Sequence, residues 1–230
     1  MDIPQLVPAE QMTQAAQWLN SVFQQFDYKI LEFYHSLHSG AFGDFLDVFF
    51  KYFTRLGDDG IFLILLGLFL MLFRKTRKVG AGMIGGIVIG AVFTNLTLKT
   101  VIARPRPYCT TELYRDWWLS VAHGLESEYS FPSGHTTSAA AAMMPVFLFC
   151  NKKKSWLVFL FVILMGASRN YIFVHFPSDI LGGIIVGSVA GILSYLIVKF
   201  LYDKMFVKGK LGNIIQTFDI RDIFKKHKKA

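Results

Sequence analysis

Five stretches of the chain run without a charge: Gly60–Phe73, Val79–Leu98, Thr136–Asn151, Ser155–Ser168 and Ile180–Val198. A helix that crosses a bilayer needs about 20 apolar residues. Val79–Leu98, between Lys78 and Lys99, and Ile180–Val198, between Asp179 and Lys199, meet that directly. The other three reach it only by taking in flanking polar residues; the third extends back through His135 to Tyr129. Backbone amides in hydrocarbon must be satisfied within their own segment, so these runs are expected to be helices. Ahead of them the pattern changes. Trp18, Val22, Phe26, Ile30 and Tyr34 recur every four residues, and Phe42, Phe45, Phe49 and Phe53 every three or four, with Gln, Asp44, Asp47 and Lys51 between them. That predicts amphipathic helices, lying in the membrane interface or packed against the bundle. The expected fold class is all-α: a polytopic membrane helix bundle of about five transmembrane helices, preceded by N-terminal amphipathic interfacial helices. The division that follows is an amphipathic segment over 1–55, a membrane core over 56–202 and a basic cytoplasmic tail over 203–230.

Composition agrees with that solvent. Of 230 residues 53% are hydrophobic and 17% charged, against about 25% charged in ordinary soluble domains. The net charge of +8 gathers in Arg74–Lys78, in Asn151–Lys154 and in the tail ending "FKKHKKA". In a five-span topology these clusters share one side, which the positive-inside rule makes cytoplasmic. The tail's surplus is expected at an anionic lipid surface, not on nucleic acid. "MDIPQLVPAEQ" sets an acid and two prolines where a secretory leader has a basic start and an apolar stretch, so no leader is expected. Cys109 and Cys150 fall on opposite faces, which argues against a bridge. Gly82, Gly86 and Gly90 stack on the second span and Gly183, Gly187 and Gly191 on the fifth. Such faces let backbones approach closely, within the bundle or across a homodimer.

The costly residues are the ionisable ones near the outer ends of the spans: Lys99, Arg104, Arg106, His135, Arg169, His175 and Asp179. In the five-span topology all seven meet on one side, and groups at that depth need a partner or a ligand. Four fixed cations and a single carboxylate do not suit a metal, which wants deprotonated ligands. No metal and no cofactor are expected. A compact dianion such as phosphate fits the ring, with forked contacts from Arg and a point charge from Lys. In "FPSGH", Ser133 is placed to cap the helix that follows, so that its first amides and dipole face an anion. Gly134 lets a ligand approach the backbone, and His135 in the first turn faces the same ligand. In "SRNYIFVHFPSD", Pro177 suits the first turn of the last span, which sets Asp179 within that turn and His175 just before it. A carboxylate there can fix one imidazole nitrogen and leave the other free to attack. Alone, Pro132-Ser133-Gly134-His135 reads first as a simple helix cap with a solvated histidine.

Together, Lys99-x6-Arg106-Pro107, Pro132-Ser133-Gly134-His135 and Ser168-Arg169-x5-His175-x3-Asp179, in that order, resemble the signature of the type 2 phosphatidic acid phosphatase superfamily. The resemblance covers Leu56 to Lys199 and takes in membrane lipid phosphatases, undecaprenyl-pyrophosphate phosphatases and, more distantly, vanadium haloperoxidases. It implies an integral-membrane hydrolase of a lipid phosphate or polyprenyl pyrophosphate, sited in the cell (plasma or inner) membrane. Its active site would face the extracytoplasmic side and its C-terminus the cytoplasm. It implies His175 as nucleophile through a phosphohistidine, Asp179 as its orienting partner and His135 as general acid, then base. Lys99, Arg106, Ser133, Gly134 and Arg169 would hold the phosphoryl oxygens. The implied partners are a phosphorylated membrane lipid and the bilayer. Many members carry six spans, and here amphipathic sequence takes the place of the first. Arg104 lacks the family spacing and reads as a headgroup contact or a snorkelling side chain. The loop 108–130, with Trp117-Trp118 and Glu112, Asp116, Glu126 and Glu128, either covers the site and selects the lipid or is a plain surface connection. His123 reads as an ordinary loop histidine. The rival readings are a phosphorylated-lipid transporter or flippase, a catalytically inactive phosphate-binding relative and a haloperoxidase.

Overall fold

The computed structural model of the chain describes residues 3–121, 124–126, 129–205, 217 and 219–221. His123, Glu128 and most of the basic tail lie outside the described residues. Those described form no strand. They form helices α1 (Gln14–Val22), α2 (Gln24–His38), α3 (Gly43–Phe53), α4 (Ile61–Met71), α5 (Arg77–Phe93), α6 (Lys99–Ile102), α7 (Glu112–Ser120), α8 (Gly134–Phe149), α9 (Lys152–Ser155), α10 (Val158–Tyr171) and α11 (Pro177–Phe200).

The bundle is built around α8, whose run Ala139–Ala142 is buried beneath α5, α10 and α11, while α4 packs on α5. Small residues decide how close these helices come. A Cβ on Gly86 would stand 2.3 Å from the Ala141 carbonyl oxygen, and one on Gly187 2.4 Å from that of Thr137. Backbone thus meets backbone, the contact that small residues permit in lipid. Ser194 ties α11 to α5 by donating to the Gly82 carbonyl at 2.8 Å. The two glycine faces are therefore used within the bundle.

Their register also fixes direction. Gly82 faces Pro145, Gly86 faces Ala141 and Gly90 faces Thr137, so α5 runs antiparallel to α8. Gly183, Gly187 and Gly191 meet Thr136, Ala140 and Met144, so α11 runs parallel to it. Consequently Arg77–Lys78, Lys152–Lys154 and Lys199 gather at one end of the bundle, and Lys99, Ser133 and Pro177 at the other. Among the described residues, Arg77–Cys109 and Pro177–Lys204 are long and apolar enough to cross a membrane. These contain the two runs that meet the spanning length in sequence. Helices α4, α8 and α10 have 11, 16 and 14 residues, short of the roughly 20 that a crossing requires. Length and hydropathy therefore support two of the five expected crossings.

The amphipathic helices exist, and much of the apolar period read in the sequence falls on their outer face. Trp18, Val22 and Phe26 point outward, as do Phe42 and Phe45, whereas Ala16, Leu19, Asp27 and Leu31 are buried. Leu31 and Phe50 join Trp117, Trp118, Tyr171 and Phe173 in an aromatic core that seats α2 and α3 on α7 and the α10–α11 connection. An outer surface meeting lipid can be as apolar as an inner one, so the hydrophobic period alone did not tell the faces apart.

Candidate active site

Two connections and one helix start converge at the end of the bundle opposite the basic clusters. Ser133 caps α8, accepting at 3.1 Å from the Thr136 hydroxyl and at 3.5 Å from its N–H. It is fully buried, and its hydroxyl is engaged in that first turn instead of facing the cavity. Gly134 and His135 follow, and with Lys99, Arg106 and His175 they line a cavity of about 250 Å³. A Cβ on Gly134 would stand 3.8 Å from Lys99 Nζ, so its backbone and that ammonium share one wall. The His135 ring lies against Gly57, where any Cβ would fall 2.5 Å from ring carbon Cδ2.

The α10–α11 connection carries His175. It is pinned on both sides: Asn170 donates to the His175 carbonyl at 2.9 Å, and Arg106 to that of Val174 at 2.9 Å. Phe173 sits at φ 55°, a conformation that costs a non-glycine residue energy and is held only by its surroundings. Pro177 then opens α11, and Asp179, in its first turn, accepts from the Phe176 N–H at 2.8 Å. That carboxylate benefits from the helix N-terminus. His175 Nδ1 stands 3.5 Å from Asp179 Oδ2, longer than a good hydrogen bond. Its Nε2 lies 3.2 Å from an Arg106 nitrogen and accepts from it. Burial first, then the neighbouring Arg106, pushes the His175 pKa down to about 3, so the imidazole is neutral.

Arg104 departs from the sequence expectation. It neither contacts a headgroup nor snorkels: it is wholly buried. It donates to Asp179 Oδ1 at 2.6 Å, Asp27 Oδ2 at 2.9 Å, Ser178 Oγ at 2.7 Å and Asn20 Oδ1 at 2.8 Å. The strained Ala103, at φ 49°, turns the chain so that Arg104 enters this network while Arg106 enters the cavity. A cation at this depth needs carboxylate partners, and two of them are supplied from elsewhere in the chain.

Three site residues escaped the sequence reading. Asp58, between Gly57 and a strained Asp59 at φ 50°, lies with Oδ1 2.9 Å from His135 Nε2. That hydrogen bond holds the Asp58 carboxyl below the usual carboxylate range. Asp27 is buried in α2. Glu126 belongs to the loop whose role the sequence left open, and its carboxylate enters the cavity wall. Arg169 Nη2 donates to Glu126 Oε1, and Arg106 Nη2 lies 3.6 Å from Oε2. The other branch of Arg169 approaches His135 Nε2 at 3.3 Å and donates to Thr54 at 2.8 Å. Side chains therefore follow one another in an arc: His175, Arg106, Glu126, Arg169, His135.

Comparison with known proteins places the chain in a family. Residues 80–203 match the PAP2 superfamily. Undecaprenyl-diphosphatase BcrC of Bacillus subtilis (strain 168) is 31% identical over 172 residues, 74% of this chain and 82% of that one. The crystal structure of Aquifex aeolicus LpxE is similar at a TM-score of 0.54 and 31% identity, covering 71% of this chain and 93% of that one. That of a transmembrane PAP2-type phosphatidylglycerolphosphate phosphatase from Bacillus subtilis reaches 0.59 at 25% identity, covering 85% and 93%. With the family matched over more than half its length, this chain belongs to the PAP2 superfamily.

Proposed function

We propose that the chain is an integral-membrane phosphatase that removes the terminal phosphate of a lipid phosphate or polyprenyl diphosphate through a phosphohistidine, without a metal. The observation that carries this reading is the arc around Glu126: a carboxylate gripped by two arginines, each of which also touches one imidazole. A phosphoryl group in place of that carboxylate lies between the two histidines. Relatives named for lipid phosphates and diphosphates support the substrate class.

His175 Nε2 attacks phosphorus, the bond to the leaving oxygen breaks, and His135 gives that oxygen its proton. Asp58 Oδ1, 2.9 Å from His135 Nε2 in the resting site, gives way there to the leaving oxygen. Water then attacks phosphorus, His135 takes the proton of the water, the P–N bond breaks and inorganic phosphate leaves. Asp179 keeps the His175 ring in place and balances the charge it acquires. Lys99, Arg106 and Arg169 carry the charge of the equatorial oxygens, the main demand of such a transfer. The Gly134 amide faces the phosphoryl group, while Ser133 serves through the cap that aims it. The gathering of basic clusters at the far end of the bundle favours a cytoplasmic position for them and an extracytoplasmic one for the site, in a five-span core over 56–202. The outward aromatic residues of 1–55 suit the lipid interface.

The test is phosphate release in detergent, with EDTA present, from phosphatidic acid, phosphatidylglycerophosphate and a polyprenyl diphosphate. Release that EDTA does not affect is the expected result. No release from any of the three, or release that EDTA abolishes, would overturn the reading.

Glu126 supplies a further prediction. Because its carboxylate occupies the arginines in the absence of substrate, Glu126→Gln is expected to lower the inhibition constant of orthovanadate about tenfold, a change worth roughly 1.4 kcal/mol. Inhibition curves for the two proteins measure it. An unchanged or higher constant would mean that Glu126 does not compete for the anion site.

A further inference from the structure

Behind the catalytic cavity lies a second set of charges with no part in holding phosphate. Asp27 Oδ1 accepts from the Ser178 N–H at 2.8 Å, and its Oδ2 accepts from the Ser178 hydroxyl at 2.7 Å and from Arg104 at 2.9 Å. Every partner is a donor, which is the pattern of an ionised carboxylate. The Arg104 guanidinium also lies over the Phe176 ring, 3.9 Å from its centre. The side chains of Asp27, Arg104 and Asp179 are exposed by 3%, 1% and 0%. Charges this deep act on one another with little screening.

Their sum matters for His175. Asp27 and Asp179 carry two negative charges and Arg104 one positive, so the cluster is net −1. When His175 Nε2 bonds to phosphorus, Nδ1 keeps its proton and the ring becomes a cation facing Asp179. A lone Arg104–Asp179 pair would be neutral and would offer that cation little. We propose that Asp27 is a positioning residue for His175: it satisfies Arg104, so that Asp179 retains its charge and orientation for the imidazolium formed on phosphoryl transfer. The N-terminal helix α2 then belongs to the catalytic machinery and is more than a membrane attachment. This rests on the phosphohistidine reading above.

The test uses the full chain in detergent micelles, with steady-state release from the same three lipids, thermal unfolding, and 15N-histidine spectra in which His175→Gln identifies the His175 signals. Asp27→Asn is expected to lower kcat about 30-fold with KM within about twofold. Adding Arg104→Gln to Asp27→Asn removes the unbalanced cation and restores the net charge of −1. That double variant is expected to regain at least about tenfold of the lost kcat, and Asp27→Glu to keep most of it. A purely structural cluster predicts the reverse, since losses of buried contacts compound. Wild-type kcat in Asp27→Asn, or a double variant no better than the single, would overturn the proposal. Should Asp27→Asn not fold, the double variant decides alone: kcat within about tenfold of wild type supports the charge balance, and a larger loss refutes it. Should the wild type release no phosphate, the phosphatase reading fails by itself and the spectra judge the network. His175 signals that shift in Asp27→Asn and return in the double variant support it. Signals that stay in place overturn it.

Discussion

Replacing His175 with alanine is expected to cut phosphate release by at least about 10⁴-fold, because it removes the atom that takes the phosphoryl group in the proposed mechanism. The geometry gives this residue more than reach. Its ring is buried and neutral, with a pKa near 3 against an ordinary 6.5. Nε2 therefore carries a lone pair without a base to deprotonate it, and an Arg106 nitrogen 3.2 Å away is placed to hold the phosphoryl oxygens in the proposed mechanism. For the same reason, kcat/KM should have no acid limb from His175 until pH falls far below 6.5. The substitution should spare the fold. Asp179 keeps Arg104 at 2.6 Å and the Phe176 N–H at 2.8 Å, so no buried carboxylate is orphaned. Loss of release with unfolding temperature little changed is the expected pair of results. Wild-type enzyme quenched in alkali after mixing with 32P-labelled lipid should carry label, and His175→Ala should carry none. A variant that retains more than about one part in a hundred of the rate would show that water attacks phosphorus directly.

Lys99 and His135 were legible because each adjoins an uncharged run, and Arg106 and His175 because each lies in the short connection at the end of one, where the cost of an ionisable group near lipid makes it conspicuous. The close faces of α5 and α11 were legible for a related reason: glycines four apart can form a stripe only on a helix. Arg104 was not. Its partners Asp27 and Asn20 lie 77 and 84 residues away in helices read for their apolar period, so a buried ion pair looked like a solitary surface cation. Asp58 and Glu126 were hidden differently. One stands among glycines ahead of the first apolar run and the other in a loop with several acids, and only folding selects which carboxylate meets an imidazole or a pair of arginines. Local spacing reports the groups that a helix end carries. It does not report the groups that another segment brings to it.

Gly187→Val is expected to have the second largest effect, this time on the fold. A Cβ there would fall 2.4 Å from the Thr137 carbonyl oxygen, 2.7 Å from Ala140 Cβ and 3.1 Å from the Ala141 nitrogen. Two of these are backbone atoms of α8 and cannot turn aside. Rotation of a flexible side chain relieves such a clash where one is the neighbour, but here α8 and α11 must separate. Gly86 of α5 approaches the same stretch of α8 just as closely and also lies against Gly191 of α11, so the three helices share one seam and a wedge between two of them loosens all three. Overpacking of this kind costs about 3 kcal/mol, or roughly 10 °C in unfolding temperature for a chain of this size. Val189→Leu, on the exposed side of the same helix, is the control and should shift it little. Activity should fall with stability, since α8 carries His135 and α11 carries Asp179, and both sit at the end of the helices that the wedge would open. Scanning calorimetry in detergent, with release measured on the same samples, separates the two outcomes. If Gly187→Val melts like the wild type, the helices have room to spare, and some force other than backbone contact sets the spacing of the helix ends that carry His135 and Asp179.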